Sequence, residues 1–455
     1  MAFRFSGALG PLPQRPFSTL SVGLTFTALA VLTGVSCEDD LPFSRRPDLS
    51  SLKLELVEGD MAVPASLFRK GVRPAAMALA QRWRNGLVNY AYHKSAEAKH
   101  REVIEAGIKH WEENSCLSFN LMNQTSFAPT TTHHIRFRTD KDGCWSLVGS
   151  TSFVSTLQNI QDLDFSGISY QDINLQDPGC VRVGTVVHEI GHAIGFFHEQ
   201  SRSDRDDHIT VLFENMDPQM RSQFEKQDDM NFTVQYDFSS VMQYPQWAFS
   251  KDVHELNTII TKDPFMQLSL GGDVLTFRDK KLANAMYNCD AGCSNRDSLK
   301  CENGGFLFAR YREKRECSCT CPPNTSGERC ETVTRENYYD HPKCGGTVTT
   351  EGTIETQRID EPCIFWIQAP EGKRVSLKFD EFDYPERRKS GRSSKLKCRA
   401  TRLEMRLKDT VHGQMYCGDE LAGKEFKSDT RDLILISSRL AQESSSGFKG
   451  TVTFE

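Results

Sequence analysis

His188-Glu189-Ile190-Gly191-His192-Ala193-Ile194-Gly195-Phe196-Phe197-His198 is the stretch on which the reading of this chain turns. On a helix, His188 and His192 lie at i and i+4, so their imidazoles project from one face toward one point. Gly195 can leave the helix through a positive-φ turn, and the turn can return His198 as a third nitrogen ligand. Three protein ligands keep a fourth position open, the mark of a catalytic rather than a structural zinc site. Glu189 cannot point the same way as the ligands. It is free to serve as general base toward a water that such an ion would polarise. An amphipathic helix with two surface histidines would explain neither Gly195 nor His198.

The chain has 455 residues, long enough for about three domains. Its net charge of -6 offers no basic excess for a nucleic-acid partner. Of 15 cysteines, only Cys37, Cys116, Cys144 and Cys180 precede Cys289; the rest crowd between Cys289 and Cys417. In a chain with an export signal, such spacing reads as a disulfide framework. The signal is the apolar run from Leu20 to Val35, preceded by Arg4 and Arg15, with small residues at Gly34 and Ser36 for cleavage. It is short for a membrane span, and no later stretch reaches span length. Sequons at Asn123, Asn231 and Asn324 fit the same route. A secreted, extracellular protein is expected, with no membrane span after the signal.

Residues 1–36 are read as signal peptide and 37–74 as a removable pro-segment, charged and without sustained periodicity. From Glu97 to Glu113, Val103, Ile104, Ile108 and Trp111 recur at helical spacing. Ile135–Phe137 and Ile173–Leu175 look like short strands. The helix bearing the histidines is expected over about Val181–Ile194, with Val183, Val186, Val187 and Ile190 inward. This mixture implies an α+β domain over 75–290. A small disulfide-rich module over 291–331 follows. From 344 to 455, short alternating runs such as Val375–Phe379 and Leu433–Ile436, with no helices between, point to a β-sandwich.

The stretch His188–His208, HEIGHAIGFFHEQSRSDRDDH, resembles the zinc signature of astacin-family metalloendopeptidases, which are metzincins. Cys144-Trp145, Pro178-Gly179-Cys180 and Ser240-Val241-Met242-Gln243-Tyr244 fall in family order. The resemblance covers roughly residues 75 to 290. It implies a two-lobed catalytic domain around a zinc cleft, with His188, His192 and His198 as ligands of one zinc ion and Glu189 as general base. Met242 would sit in the Met-turn, and Tyr244 would ligate the resting metal, then stabilise the oxyanion. Gln243 departs from the family's usual His. Val57-Glu58-Gly59-Asp60 resembles the propeptide motif whose aspartate fills the open zinc position. Asp60 would then silence the enzyme as a fourth ligand. The new N-terminus, near Ala75 by spacing to Trp83 although Pro74 disfavours a cut after Arg73, would bury itself near Glu199.

The resemblance also implies disulfides Cys116–Cys289 and Cys144–Cys180. Cys293–Cys317, Cys301–Cys319 and Cys321–Cys330 would complete an EGF-like module, and Cys344–Cys363 and Cys398–Cys417 a CUB domain. That domain order looks most like the astacins of nematodes. Calcium in the CUB domain is doubtful, because Thr401 stands where calcium-binding relatives carry Asp. Arg182 is a candidate for the subsite taking the first residue beyond the scissile bond. The basic run Glu386–Arg402 reads as a solvated loop, with contact to sulfated matrix glycans as its functional option; His133 and His134 read as structural. The expected function is a zymogen-type zinc endopeptidase acting on extracellular proteins. The competing reading, a non-catalytic extracellular binding or adhesion protein on a protease-like scaffold, would be favoured by loss of a ligand or the base. All four residues are present.

Overall fold

The computed structural model describes residues 54–64, 82–122, 132–151, 170–227, 233–309, 316–356, 362–389, 395–438 and 446–455. The signal-like stretch, Cys37, the expected junction near Ala75, Asn123 and Asn231 lie outside them. Asn324 is half-buried, its amide donating to the Arg335 carbonyl at 3.4 Å.

The first domain is built on a seven-stranded sheet: β1 Leu54–Val57, β2 Met61–Pro64, β3 Leu87–Tyr92, β4 Ser118–Leu121, β5 His134–Arg138, β6 Cys144–Leu147 and β7 Tyr170–Leu175. Their spatial order is β1-β2-β6-β7-β5-β3-β4. The two-residue period of β5 divides its faces. Ile135 and Phe137 enter the core, while Arg136 and Arg138 both reach Asp172 of β7 on the other face, at 2.6 and 2.8 Å. Segment 54–64, expected to be irregular, instead forms the β1–β2 hairpin. It extends the sheet through parallel pairing of Met61 and Ala62 with Ser146 and Leu147 of β6.

Helix α1, Ala98–Asn114, buries Ile104, Ile108 and Trp111 at the predicted helical spacing. Gly107 lies on that buried face. A Cβ there would come within 2.4 Å of the Val186 side chain, so glycine is what lets α1 cross closely against helix α2, Val183–Ala193. The Trp111 indole donates to the Val187 carbonyl at 2.9 Å across this contact. One expectation fails: Val183 is 41% exposed rather than inward, because the helix begins only there and its first turn overhangs the core. Beyond α2 the chain has little regular structure until α3, Phe277–Met286, capped by Thr276. Cys116–Cys289 ties the end of α1 to the end of α3, and Cys144–Cys180 ties β6 to the approach to α2.

The module that follows carries bridges 293–317, 301–319 and 321–330 around two short ribbons. The C-terminal domain is a sandwich of a five-stranded and a four-stranded sheet, with bridges 344–363 and 398–417. Its run Leu433-Ile434-Leu435-Ile436 is apolar at every position for a physical reason. Leu433 and Leu435 fill the sandwich, whereas Ile434 and Ile436 share a cluster with Phe265, Met266 and Ile209 of the first domain. The neighbouring strand Arg402–Arg406 repeats the logic with polar residues. Leu403 and Met405 face the sandwich, while the Glu404 carboxylate accepts from Asn257 and Arg406 donates to Gln267, both at 2.9 Å.

This docking corrects the reading of the basic run as a solvated loop. Arg387 pairs with Glu255 at 2.7 Å, Lys397 with Asp252 at 2.9 Å, and Arg402 donates to the His254 carbonyl at 2.7 Å, so at least three of its cations are engaged by the first domain. Arg388 and Lys389 are exposed. Among the described residues, no helix is long and apolar enough to cross a membrane.

Candidate metal centre

Helix α2 carries His188 and His192 one turn apart, and the chain leaves it at Gly195 with φ +110°. Two bonds make this exit tight, Gly195 N–H to the His192 carbonyl and Phe196 N–H to the Gly191 carbonyl, at 2.8 and 2.9 Å. His198 follows in extended backbone. The three Nε2 atoms converge: His188 lies 3.1 Å from His192 and 3.3 Å from His198.

Each ring is oriented from behind. The His188 Nδ1 lies 2.7 Å from the Val241 carbonyl, the His192 Nδ1 2.9 Å from the Phe196 carbonyl, and the His198 Nδ1 2.9 Å from Glu58 Oε2. An Nδ1 beside an acceptor must carry a proton, which turns each Nε2 toward the common point as the nitrogen that can offer a lone pair to a metal ion there. Burial pushes the pKa of His192 down to about 4, keeping it neutral. Nitrogens this close repel unless a cation, a proton or a metal ion, lies among them.

Asp60 supplies the fourth group. Its Oδ2 lies 3.2 Å from the His188 Nε2, and its Oδ1 lies 3.2 Å from the His198 Nε2 and 3.5 Å from the His192 Nε2. Oδ1 is buried and makes no hydrogen bond. Burial alone would raise the Asp60 pKa, but the three imidazoles outweigh it and hold the carboxyl well below its usual range. Burial likewise lowers His198, yet Asp60 and Glu58 outweigh it and lift this imidazole to about 9. The pocket is therefore built for positive charge. Three imidazole nitrogens and one carboxylate oxygen, all within 4.8 Å of one another, fit a tetrahedral zinc ion.

Glu189 is 1% exposed and leaves Oε2 without a partner. Burial, then the neighbouring Asp60, raises its pKa well above the carboxylate range. The Met242 Sδ underlies the helix so closely that a Cβ on Gly191 would sit 2.8 Å from it. The Tyr244 ring packs 4.5 Å from that of His198, but its hydroxyl donates to the Glu58 carbonyl. Gln243 accepts from the Tyr236 hydroxyl at 2.6 Å and donates to the Tyr244 carbonyl at 3.0 Å. Glu199 is buried, accepting from the Asp237 N–H at 2.6 Å and from Arg202 at 3.2 Å. Arg182 stands exposed at the start of α2. His133 Nε2 donates to Gln171 Oε1 at 2.8 Å and its ring stacks on Trp83, outside the groups that could hold a metal. Thr401 is fully buried. The second cluster of metal-ligating types among the described residues is Cys398, Cys417 and Glu420, and both its cysteines are consumed by their disulfide.

Sequence reasoning did not assign Glu58. Besides orienting His198, it accepts from the Gln227 amide at 2.8 Å through its other oxygen. Only its place between Val57 and Gly59 hinted at a role. The Val241 and Phe196 carbonyls were equally out of reach, since any residue supplies a carbonyl.

Residues 75–288 match the family model of the Astacin peptidase family, and residues 344–452 match the CUB domain. Blastula protease 10 of Paracentrotus lividus is 31% identical over 401 residues, covering 84% of this chain and 60% of that protein. Zinc metalloproteinase nas-34 of Caenorhabditis elegans is 34% identical over 315 residues, 67% of this chain and 46% of that protein. A solved structure, high choriolytic enzyme 1, a hatching enzyme zinc-protease from Oryzias latipes, is 26% identical. It covers 46% of this chain and 94% of that one at a TM-score of 0.38. The chain thus spans about half to two thirds of the length of the curated relatives it matches. With the three converging histidines inside the matched region, residues 75–288 are a peptidase domain of the astacin family, with a CUB domain behind it.

Proposed function

We propose that this chain is a secreted zinc-dependent endopeptidase, held latent by segment 54–64 until that segment is removed. The observation that carries the reading is the approach of Asp60 to the convergence point of His188, His192 and His198 beside an unpartnered Glu189. Those three histidines would hold the ion through Nε2. Zinc, when bound, supplies a Lewis acid that polarises the scissile carbonyl and acidifies water. The Glu189 Oε2 would take the proton of the attacking water and return it to the leaving amine. The Tyr244 hydroxyl, released from the Glu58 carbonyl once the segment leaves, would donate to the developing oxyanion.

Latency has a second support in the sheet. Strand β2 occupies the edge of β6, the strand beside the histidine helix, where an extended substrate would otherwise add its backbone. Seven disulfides support an extracellular setting, with extracellular proteins as substrates. The cysteine-rich module is read as EGF-like. Arg182 is kept as a determinant of acidic preference beyond the scissile bond, and cleavage profiling of Arg182→Ala tests that assignment.

The decisive measurement is zinc content together with casein hydrolysis by the activated protein and by Glu189→Ala. One zinc per chain in both, with hydrolysis only in the parent, is expected. Equal hydrolysis by the two would overturn the mechanism; absent hydrolysis in the parent would favour a binding scaffold.

A further inference from the structure

The connection between the cysteine-rich module and the C-terminal sandwich belongs to neither matched region, yet it reaches the floor of the metal centre. The Tyr339 hydroxyl donates to Asp237 Oδ1 at 2.8 Å and accepts from Arg278 Nη1 at 2.8 Å. Its ring packs on Phe238 with centroids 5.6 Å apart, and the adjacent Tyr338 lies under the Arg278 guanidinium at 3.9 Å.

From Asp237 a continuous path leads inward. The other oxygen of its carboxylate accepts from Thr276 Oγ1, which in turn accepts from the Asp279 N–H at 3.0 Å. The Asp279 carboxylate accepts from Ser240 Oγ at 2.6 Å, and Ser240 Oγ accepts from the Met242 N–H at 3.0 Å. That N–H belongs to the peptide joining Val241 to Met242. The carbonyl of the same peptide faces the His188 Nδ1 at 2.7 Å. Asp237 and Asp279 are both buried, so a donor lost to either is not freely replaced by water; without Tyr339, Asp237 Oδ1 would keep only the longer bond from the Ser239 N–H at 3.2 Å.

We propose that Tyr339 is a positioning residue for the metal centre: by holding Asp237, it fixes the Val241–Met242 peptide whose carbonyl orients His188. The peptidase domain is then completed by a residue outside it, and its C-terminal neighbours tune the metal centre instead of only extending the surface. This inference rests on the reading of His188 as a zinc ligand.

The test uses the full-length protein after activation, comparing the parent with Tyr339→Phe, which keeps the ring and removes the hydroxyl. Tyr384→Phe serves as control, since that hydroxyl bonds Ser437 inside the sandwich, far from the path. Hydrolysis of a short quenched peptide is normalised to active sites titrated with a hydroxamate. Zinc release to a chromogenic chelator is followed separately, and thermal melting monitors the fold. For Tyr339→Phe, kcat should fall about fivefold with KM unchanged, the effect of one net hydrogen bond. Zinc release should quicken, while Tyr384→Phe matches the parent in both. Parent-like kcat and zinc release in Tyr339→Phe would overturn the proposal, as would a change confined to KM. If Tyr339→Phe does not fold, Arg278→Lys, which removes the guanidinium holding the same hydroxyl, takes its place under the same criteria. A parent that holds no zinc would instead sink the endopeptidase reading on which the inference stands.

Discussion

Replacing Gly59 by alanine should loosen the latent state without altering the enzyme beneath it. Glu58 and Gly59 both have positive φ, +52° and +83°, and this sharp turn delivers Asp60 to the histidines. An L side chain at the Gly59 conformation costs about 1–2 kcal/mol relative to glycine. The added methyl would also lie 2.8 Å from Phe249 Cζ and 3.5 Å from the Tyr244 hydroxyl. Phe249 has little room to retreat, because its ring packs against those of Tyr244 and Phe224, with centroids 5.6 and 6.0 Å apart. Forcing a methyl into so filled a site costs about 1–3 kcal/mol more.

The low end of that sum, about 2 kcal/mol, shifts the balance between seated and unseated segment about 30-fold. Uncleaved zymogen, purified without its activating protease, should therefore hydrolyse a quenched peptide about 30-fold faster than the parent zymogen. After activation the two proteins should be identical, since residue 59 leaves with the segment. A Gly59→Ala zymogen as silent as the parent, with equal mature activities, would refute the reasoning: seating of Asp60 would not depend on this turn.

Asp60→Ala should leave the zymogen partly active while retaining stoichiometric zinc on the three histidines, read by metal analysis beside the peptide assay. Gly191→Ala places a methyl against the Met242 Sδ and should lower stability by about 1–3 kcal/mol, seen as a reduced Tm. Arg406→Ala strips the guanidinium from Glu404 and Gln267 at a fully buried site and should cost about 3–5 kcal/mol, with the sandwich melting first in calorimetry. Arg387→Gln and Lys397→Gln should hardly change retention on heparin, whereas loss of the exposed Arg388 and Lys389 would change it if the sandwich contacts glycans.

The metal centre was unusually legible because its chemistry demands particular residue types at particular spacings. His188 and His192 had to share a helix face, Gly195 had to turn the chain, and His198 had to follow. Helix α1 was legible for a related reason, since burial of Ile104, Ile108 and Trp111 imposes a 3.6-residue period. Segment 54–64 was not legible as strands. Its four-residue runs gain their order from the edge of β6, a partner about eighty positions away in the chain, and no local pattern announces such pairing. The basic run was misjudged for the same cause: a charged stretch reads as solvated until the carboxylates of Asp252 and Glu255 are placed opposite it.

What the sequence by itself determined are the donors: three imidazoles, a base at Glu189, a carboxylate at Asp60 and the cysteines that frame three modules. Short-range geometry and ligand chemistry suffice for the imidazoles and Glu189, whereas Asp60 and the grouping of the cysteines followed from the family resemblance. Only the tertiary structure decided what holds those donors in place, namely the Val241 and Phe196 carbonyls, Glu58 behind His198, and Tyr339 reaching in from a connecting segment. It alone also decided that the sandwich seals its outer sheet against the peptidase domain. These are contacts between residues far apart in the chain, made by groups that nearly any residue could offer, so their identity is set by proximity after folding and not by residue type.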